Sequence, residues 1–503
     1  MAKRSVFNSF LNIVEKGGNL LPHPATLFAL FALAVLLFSG LAFLLDWSAV
    51  HPVTHEVVHP VNLLSKEGLH RVLLMMVNNF TGFAPLGIVL VAMLGIGIAE
   101  ASGLIAAFIR LLILSAPKRL LTFVIVFSGI VSNFASDVGY VLLIPLAGMI
   151  FLTVGRHPAA GMAAAFAGVS GGFSANLIIG SIDPLLAGLS QEAAHIVDPA
   201  YIVNPTANYY FMMASTFVIA IAGTLVSELI VEPRLGKYHG EINADEGLEP
   251  LRKIEKKGIM WSMTGFILLT VIILAGIIPA NGFLRGKEGS ILYSPIIEGV
   301  VAVMVIYAAV MGIIYGKVTG TFKNDADVMK SMQSGIKTLS AYIVLVFFAA
   351  QFVAYFKWSN LGLILAIKGA GFLAGLNLGV IPLVLLFILF SATLNMFMGS
   401  ASAKWAIVAP IFIPIFMFLG FSPELSQVVF RIGDSVTNVI SPMMSFFALI
   451  IAFFQKYDSK TGIGTIIATM LPFTIVFLIV WSLLLVAWIL LGFPLGPGAG
   501  IHY

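Results

Sequence analysis

The chain has 503 residues, of which 59% are hydrophobic and 10% charged, with a mean hydropathy of +1.04. Soluble globular chains carry about 25% charged residues, so this composition excludes an ordinary water-soluble domain and describes a chain solvated by lipid. The net charge of +4 is spread by loop and gives no argument for nucleic-acid binding, and the absence of cysteine excludes disulfides, thiol chemistry and Cys-ligated metals.

Residues 1–24 read as a cytoplasmic N-terminal interfacial segment, because Val6, Phe7, Phe10, Leu11 and Val14 recur at helical spacing. A frayed tail is the alternative, since so short a helix is marginal alone. No small-residue cleavage site stands at a suitable distance, so no cleavable signal peptide is expected. Nine spanning helices are predicted over 25–45, 84–112, 159–188, 207–231, 259–279, 295–316, 338–356, 425–455 and 466–491. The loop 46–83 holds His51, His55, His59 and His70. Pro52 and Pro60 give these histidines no helical face, so a solvated loop is favoured over a metal site.

Two apolar stretches, 119–151 and 376–420, are interrupted near their middles by polar and small residues and read as re-entrant helical hairpins. The chain then divides into a first half, 25–231, with hairpin 119–151 and broken helix 159–188. A cytoplasmic linker, 232–258, carries both charge signs. The second half, 259–492, holds hairpin 376–420 and broken helix 425–455, and a tail follows at 493–503. The predicted fold class is an all-α polytopic membrane protein with nine transmembrane helices and two hairpins in an inverted repeat.

Basic residues test this topology. With the N-terminus cytoplasmic and the C-terminus periplasmic, 18 of the 27 lysines and arginines fall inside and 6 outside; Arg110, Lys404 and Arg431 lie within membrane segments. That bias is what the positive-inside rule requires. Reading 119–151 as one span would invert every later loop and abolish it.

Both halves place asparagine at membrane depth with one spacing. Asn133 and Asn176 are 43 residues apart, as are Asn395 and Asn438, and the offset between halves is 262 for both pairs. Polar groups beside glycine at that depth are costly unless they line a cavity. Duplicated broken segments of this kind mark the substrate and ion site of a secondary transporter. Asp137 lies at the first hairpin's tip, and Asp183 ends Gly180-Ser181-Ile182-Asp183-Pro184, where proline frees carbonyls beside a carboxylate. Asp183 suits a cation or a proton; an exposed cap near the outer surface is the plainer reading.

In the second hairpin, Ser400 and Ser402 offer hydroxyls and Trp405 a flat face for an aromatic ligand, the alternative for Trp405 being an interfacial anchor. Lys404 either snorkels or meets a substrate carboxylate. Arg431 and Asp434 are one helical turn apart and can pair with each other, or Arg431 can hold a carboxylate in bidentate fashion; a purely structural pair is the competing reading. Pro442 breaks the helix again four residues after Asn438. The chain lacks G-x-x-x-x-G-K-[ST], which removes the commonest ATPase signature.

Several stretches together resemble the AbgT family of p-aminobenzoyl-glutamate transporters. They are Gly82-Phe83-Ala84-Pro85-Leu86-Gly87, the run Phe151 to Pro158, Glu232-Pro233-Arg234-Leu235-Gly236, the run Ser402 to Phe412, and Phe430-Arg431-Ile432-Gly433-Asp434-Ser435. The resemblance runs from about residue 20 to the C-terminus. It implies a homodimer in the bacterial inner membrane that uses an ion gradient to move p-aminobenzoyl-glutamate or sulfonamide antimetabolites, by uptake or by export. It carries the family's site onto Asp183, Asn395, Trp405, Pro423, Arg431, Asp434 and Pro442. Hairpin tips in the wider ion-transporter superfamily hold cations at Ser-Asn-Thr-like motifs; here they read Ser132-Asn133-Phe134 and Leu394-Asn395-Met396. The coupling ion is therefore either H+ or Na+, with Asn133, Asn176, Asn395 and Asn438 as candidate Na+ neighbours, and no other cofactor is implied.

The expected ligand is a small anionic aromatic amide, its ring on Trp405 and its carboxylate on Arg431 or Lys404, with the coupling charge on Asp183 or Asp434. A dicarboxylate or citrate symporter of the same superfamily is the rival within transport. An intramembrane amide hydrolase would need a nucleophile and base at membrane depth, and the core segments hold no histidine to supply one.

Overall fold

The computed structural model describes residues 22–52, 54–135, 139–238, 250–291 and 294–503. Residues 1–21 of the N-terminal interfacial segment, Asp137 and residues 239–249 of the charged linker lie outside the described residues. Among the described residues, eight helical stretches are long and apolar enough to cross a membrane.

The first half opens with α1 (Pro24–Leu44) and a two-stranded turn pairing Ala49–Val50 with Val57–Val58 antiparallel. Next come α2 (Lys66–Thr81), α3 (Ala84–Ala101), α4 (Leu104–Leu114), α5 (Leu121–Ser132), α6 (Ile144–Thr153), α7 (Pro158–Phe166), α8 (Ile182–Ala194) and α9 (Tyr209–Val226). The second half holds α10 (Lys253–Ile277), α11 (Val300–Thr319), α12 (Asp325–Thr338), α13 (Ser340–Trp358), α14 (Leu361–Gly375), α15 (Val380–Asn395), α16 (Ala401–Phe418), α17 (Pro423–Asn438), α18 (Phe447–Gln455) and α19 (Ile463–Leu491).

Three departures from the sequence expectation have local causes. The loop 46–83 contains α2, started by Ser65, whose Oγ accepts from the Gly68 amide at 3.0 Å. The predicted span 84–112 is two helices, because Gly103 adopts φ +86° and interrupts the helix between α3 and α4. The predicted cytoplasmic loop after α11 contains α12, opened by a reciprocal cap between Asn324 and Asp327. Amides of Lys323 and Asn324 hold the Asp327 carboxyl below its usual range.

Beyond Pro117 the chain turns by 113° between α4 and the stretch 118–132. α5 then packs across the π-helical turn 167–171 that continues α7, and α15 packs across α17. Glycine permits both crossings. A Cβ on Gly168 would meet the Val126 carbonyl oxygen at 2.3 Å, and one on Gly433 would meet the Ile388 carbonyl oxygen at 2.5 Å. The helix after each crossing unwinds, over 172–181 before α8 and over 439–446 before α18.

The halves interlock. α16 and α17 of the second half pack on α8 of the first, and α9 packs on α19. Elsewhere α3 lies between α11 and α12, α10 packs on α11, and α1 on α13. Every residue of α17 is buried. This helix has no lipid or solvent face although it carries Glu424, Gln427, Arg431, Asp434 and Asn438, spaced three and four residues apart along one stripe. Such a stripe at the centre of the fold must find its partners inside the protein.

Candidate functional site

The site is built around α17 and the two unwound segments. Asn395, the last residue of α15, aims its amide nitrogen at α17. Nδ2 lies 2.6 Å from the Asp434 carbonyl, 2.9 Å from Thr437 Oγ1 and 2.8 Å from Asn438 Oδ1. Its carbonyl oxygen faces the other way and accepts from the Lys404 ammonium, which also pairs with the Asp434 carboxylate. The main-chain carbonyl of Asn395 accepts from Ser441 Oγ at 3.0 Å. Asn395 therefore joins the end of α15, the start of α16 and the end of α17 in one knot.

Arg431 looks toward the other half. Its Nη2 lies 2.7 Å from Asp183 Oδ1 and 2.8 Å from the Ser174 carbonyl, both in the first half. Asp183 Oδ2 accepts from the Gly180 amide at 2.8 Å, so the carboxylate also ties the unwound segment to the start of α8. Ser435 Oγ accepts from the Ser174 amide at 3.2 Å. Arg431 and Asp434 do not pair with each other as their spacing suggested. Each finds an opposite charge on another element, and the two ion pairs lie on the same helix. Both are buried, with Arg431 1% exposed and Lys404 0%. Breaking such a pair at one end leaves an uncompensated charge away from water.

Trp405 is fully buried and stacks on Phe430, with centroids 4.5 Å apart and planes inclined at 28°. Its indole N–H donates to Ser190 Oγ at 2.9 Å, and Ser190 Oγ lies 2.7 Å from Gln427 Oε1. The reading of Trp405 as an interfacial anchor does not hold for a ring enclosed by protein. Lys404 does not snorkel, and Asp183, 6% exposed, is not an open cap. Ser400 caps α16, accepting from the Ala403 amide at 3.4 Å, and lies 3.3 Å from Ser402 Oγ. Pro423 is the first residue of α17, and Pro442 sits in the unwound 439–446.

In the first half, Asn133 and Asn176 are also buried, but differently served. Among the described residues, Asn133 Oδ1 and Asn176 Nδ2 have no hydrogen-bond partner. Asn133 Nδ2 reaches only the Gly129 carbonyl, at 3.5 Å. An unmet buried polar atom costs about 1–3 kcal/mol.

Sequence reasoning missed Ser174, Ser190, Gln427 and Thr437, whose partners come from distant segments. It also missed Glu424, which is buried and accepts from Tyr201 Oη at 2.9 Å. The only available signal was helical spacing from Arg431 and Asp434. Among the described residues, no cluster of three or more metal-ligating side chains is present. In the histidine-bearing loop, His59 pairs with Asp46 at 3.0 Å and His51 lies against Phe418.

Comparison with known proteins fits this arrangement. Residues 9–503 match the family described as "AbgT putative transporter family". The chain is 39% identical over 486 residues to the p-aminobenzoyl-glutamate transport protein of Escherichia coli (strain K12), covering 96% of this chain and 95% of that one. The crystal structure of the Alcanivorax borkumensis YdaH transporter superposes with a TM-score of 0.90 at 45% identity, covering 95% of this chain and all of that one. The structure of Neisseria gonorrhoeae MtrF, described as illuminating a class of antimetabolite efflux pumps, superposes with a TM-score of 0.93 at 48% identity, covering 97% and 100%. Apolar helices of membrane length, polar knots buried among them and a family match across nearly the whole chain lead to one assignment: this is a membrane-embedded transporter of the AbgT family, and not an enzyme.

Proposed function

We propose that this chain is an ion-gradient-driven secondary transporter that moves p-aminobenzoyl-glutamate, sulfonamide-type antimetabolites or both across the bacterial inner membrane. Nine transmembrane helices and two re-entrant hairpins form each subunit of a homodimer, with the N-terminus cytoplasmic and the C-terminus periplasmic. The observation that carries this reading is the pair of buried ion contacts on α17. Lys404–Asp434 closes the second hairpin on the broken helix, and Arg431–Asp183 joins that helix to the first half. Charges buried between inverted repeats respond to a bound anion or cation because either one changes the local balance.

The surrounding side chains are closed over one another, so ligand entry requires the hairpin and α17 to part. An anionic aromatic amide would then find a ring partner in Trp405, displaced from Phe430, and a guanidinium in Arg431. Its carboxylate competes with Asp183 for Arg431, which leaves Asp183 free to take the coupling H+ or Na+. Ser400 and Ser402 line the hairpin's approach, while Asp434 takes the ion when Lys404 moves. Coupling follows because substrate and ion together favour a separated arrangement that neither favours as strongly alone.

The test is flux of labelled p-aminobenzoyl-glutamate through separate Trp405→Ala and Arg431→Ala variants in proteoliposomes. Loss of flux from both, with normal expression and folding, supports the assignment. Wild-type flux from both removes these residues from the substrate site and favours the dicarboxylate reading, which needs no aromatic platform.

A further inference from the structure

The two repeats meet the same polar problem in different ways. An offset of 262 carries Asn133 to Asn395 and Asn176 to Asn438. It also carries α5, α6, α7, α8 and α9 onto stretches that overlap α15, α16, α17, α18 and α19 in turn. Under that offset Lys404 corresponds to Leu142 and Asp434 to Gly172. The second repeat therefore holds a cation and an anion where the first holds an aliphatic chain and no side chain.

That ammonium has a defined seat. It lies between the amide oxygen of Asn395 and the Asp434 carboxylate, at the junction of hairpin tip and broken helix. Asn395 turns its nitrogen to Asp434, Thr437 and Asn438, which orients its oxygen toward the positive charge. An amide oxygen and a carboxylate oxygen converging at a broken helix are also the ligands a small hard cation would use. In the first repeat, among the described residues, the related amide oxygen of Asn133 and amide nitrogen of Asn176 are buried without partners.

We propose that Lys404 is a tethered cation that fills the second repeat's ion position, so that a free alkali cation does not bind between Asn395 and Asp434 while Lys404 is seated. The repeats are thus functionally unequal. The second carries its positive charge covalently and exchanges it only when Lys404 withdraws, and the asparagine pair of the first is the one open to a diffusible ion. This deepens the ion-coupled reading above, but it concerns occupancy, so it stands or falls on binding whether or not transport is observed.

The experiment is equilibrium binding of radioactive Na+ to the purified full-length protein in detergent at pH 8. Lys404→Gln removes the tethered charge and leaves the Asp434 carboxylate and Asn395 oxygen facing an uncompensated position. The expected result is a gain of one Na+ per chain over wild type. Lys404→Arg should show no gain, and Lys404→Gln with Asp434→Asn should lose it. A folded Lys404→Gln protein with wild-type stoichiometry overturns the proposal. Asn395→Ala in the wild-type background covers the case in which Lys404→Gln does not fold. Its Na+ stoichiometry should equal that of wild type, whereas loss of a bound Na+ would place the free ion where Lys404 is assigned and overturn the proposal equally. Failure of the transport reading shows instead as absence of flux, with these stoichiometries unaffected.

Discussion

Replacing Asp183 by Asn tests how strongly the two repeats are held together by charge. The substitution keeps shape and an oxygen for the Gly180 amide, yet removes the carboxylate 2.7 Å from Arg431 Nη2. Arg431 is 1% exposed, and Nε has no hydrogen-bond partner among the described residues, so water does not compensate the guanidinium. Removing one member of a buried pair costs about 3–5 kcal/mol. The bond to the Ser174 carbonyl, at 2.8 Å, persists and leaves the guanidinium one polar partner, which holds the loss to the lower end of that range. The net loss should therefore stay near 3 kcal/mol, a factor of roughly 100 in the folded-to-unfolded ratio. Titration of the purified protein with SDS in mixed micelles, followed by tryptophan fluorescence, reads this shift. Arg431→Met should cost less, since the Asp183 carboxylate it leaves behind keeps the Gly180 amide as a partner. The double variant should be more stable than the sum of the single losses predicts, with a coupling energy of about 1–3 kcal/mol. A coupling energy below about 0.5 kcal/mol would refute the claim that this contact joins the repeats.

Trp405→Phe keeps the stack on Phe430 but strips the donor from Ser190; it should lower stability by about 1 kcal/mol and weaken binding of an aromatic anion less than Trp405→Ala does, as measured by unfolding and equilibrium dialysis. Gly433→Ala places a Cβ 2.5 Å from the Ile388 carbonyl and 2.6 Å from Ser391 Cβ, so α15 and α17 must separate; a loss of about 1–3 kcal/mol is expected in the same assay, against near neutrality for Gly464→Ala, where a Cβ meets open space. His157, at the α6–α7 turn, accepts from the Ala159 amide at 3.2 Å, and burial pushes its imidazole below the usual 6.5. The folded state therefore binds fewer protons at this site, so stability from the neutral ring is present above pH 6.5 and is lost as pH falls through the lowered folded value. Melting curves from pH 5 to 8 should show that acid-side loss, and His157→Asn, which keeps a cap acceptor, should reduce it.

Much of this architecture was legible because lipid makes polar residues conspicuous. The repeated asparagine spacing located both unwound segments, since nothing else at that depth requires Asn133, Asn176, Asn395 and Asn438 beside small residues. α2 and α12 escaped notice because their apolar content is low, although Ser65 and Asn324 were readable caps. The break at Gly103 was hidden in a continuous apolar run, where glycine serves either helix packing or a left-handed turn. The ion pairing was misread for a different reason. Helical spacing brings Arg431 beside Asp434, but it gives no information about α16 or α8, from which Lys404 and Asp183 arrive. Partners that arrive from distant segments become visible only when the tertiary contacts are known.

The most direct test is uptake of labelled p-aminobenzoyl-glutamate into proteoliposomes, with proton and sodium gradients imposed separately and a sulfonamide present as competitor. The account predicts accumulation under one of the two gradients, abolished when that gradient is collapsed and inhibited by the sulfonamide, which places both ligands in one aromatic-anion site. Absence of flux under either gradient from folded, oriented protein would contradict it, as would flux that neither gradient alters.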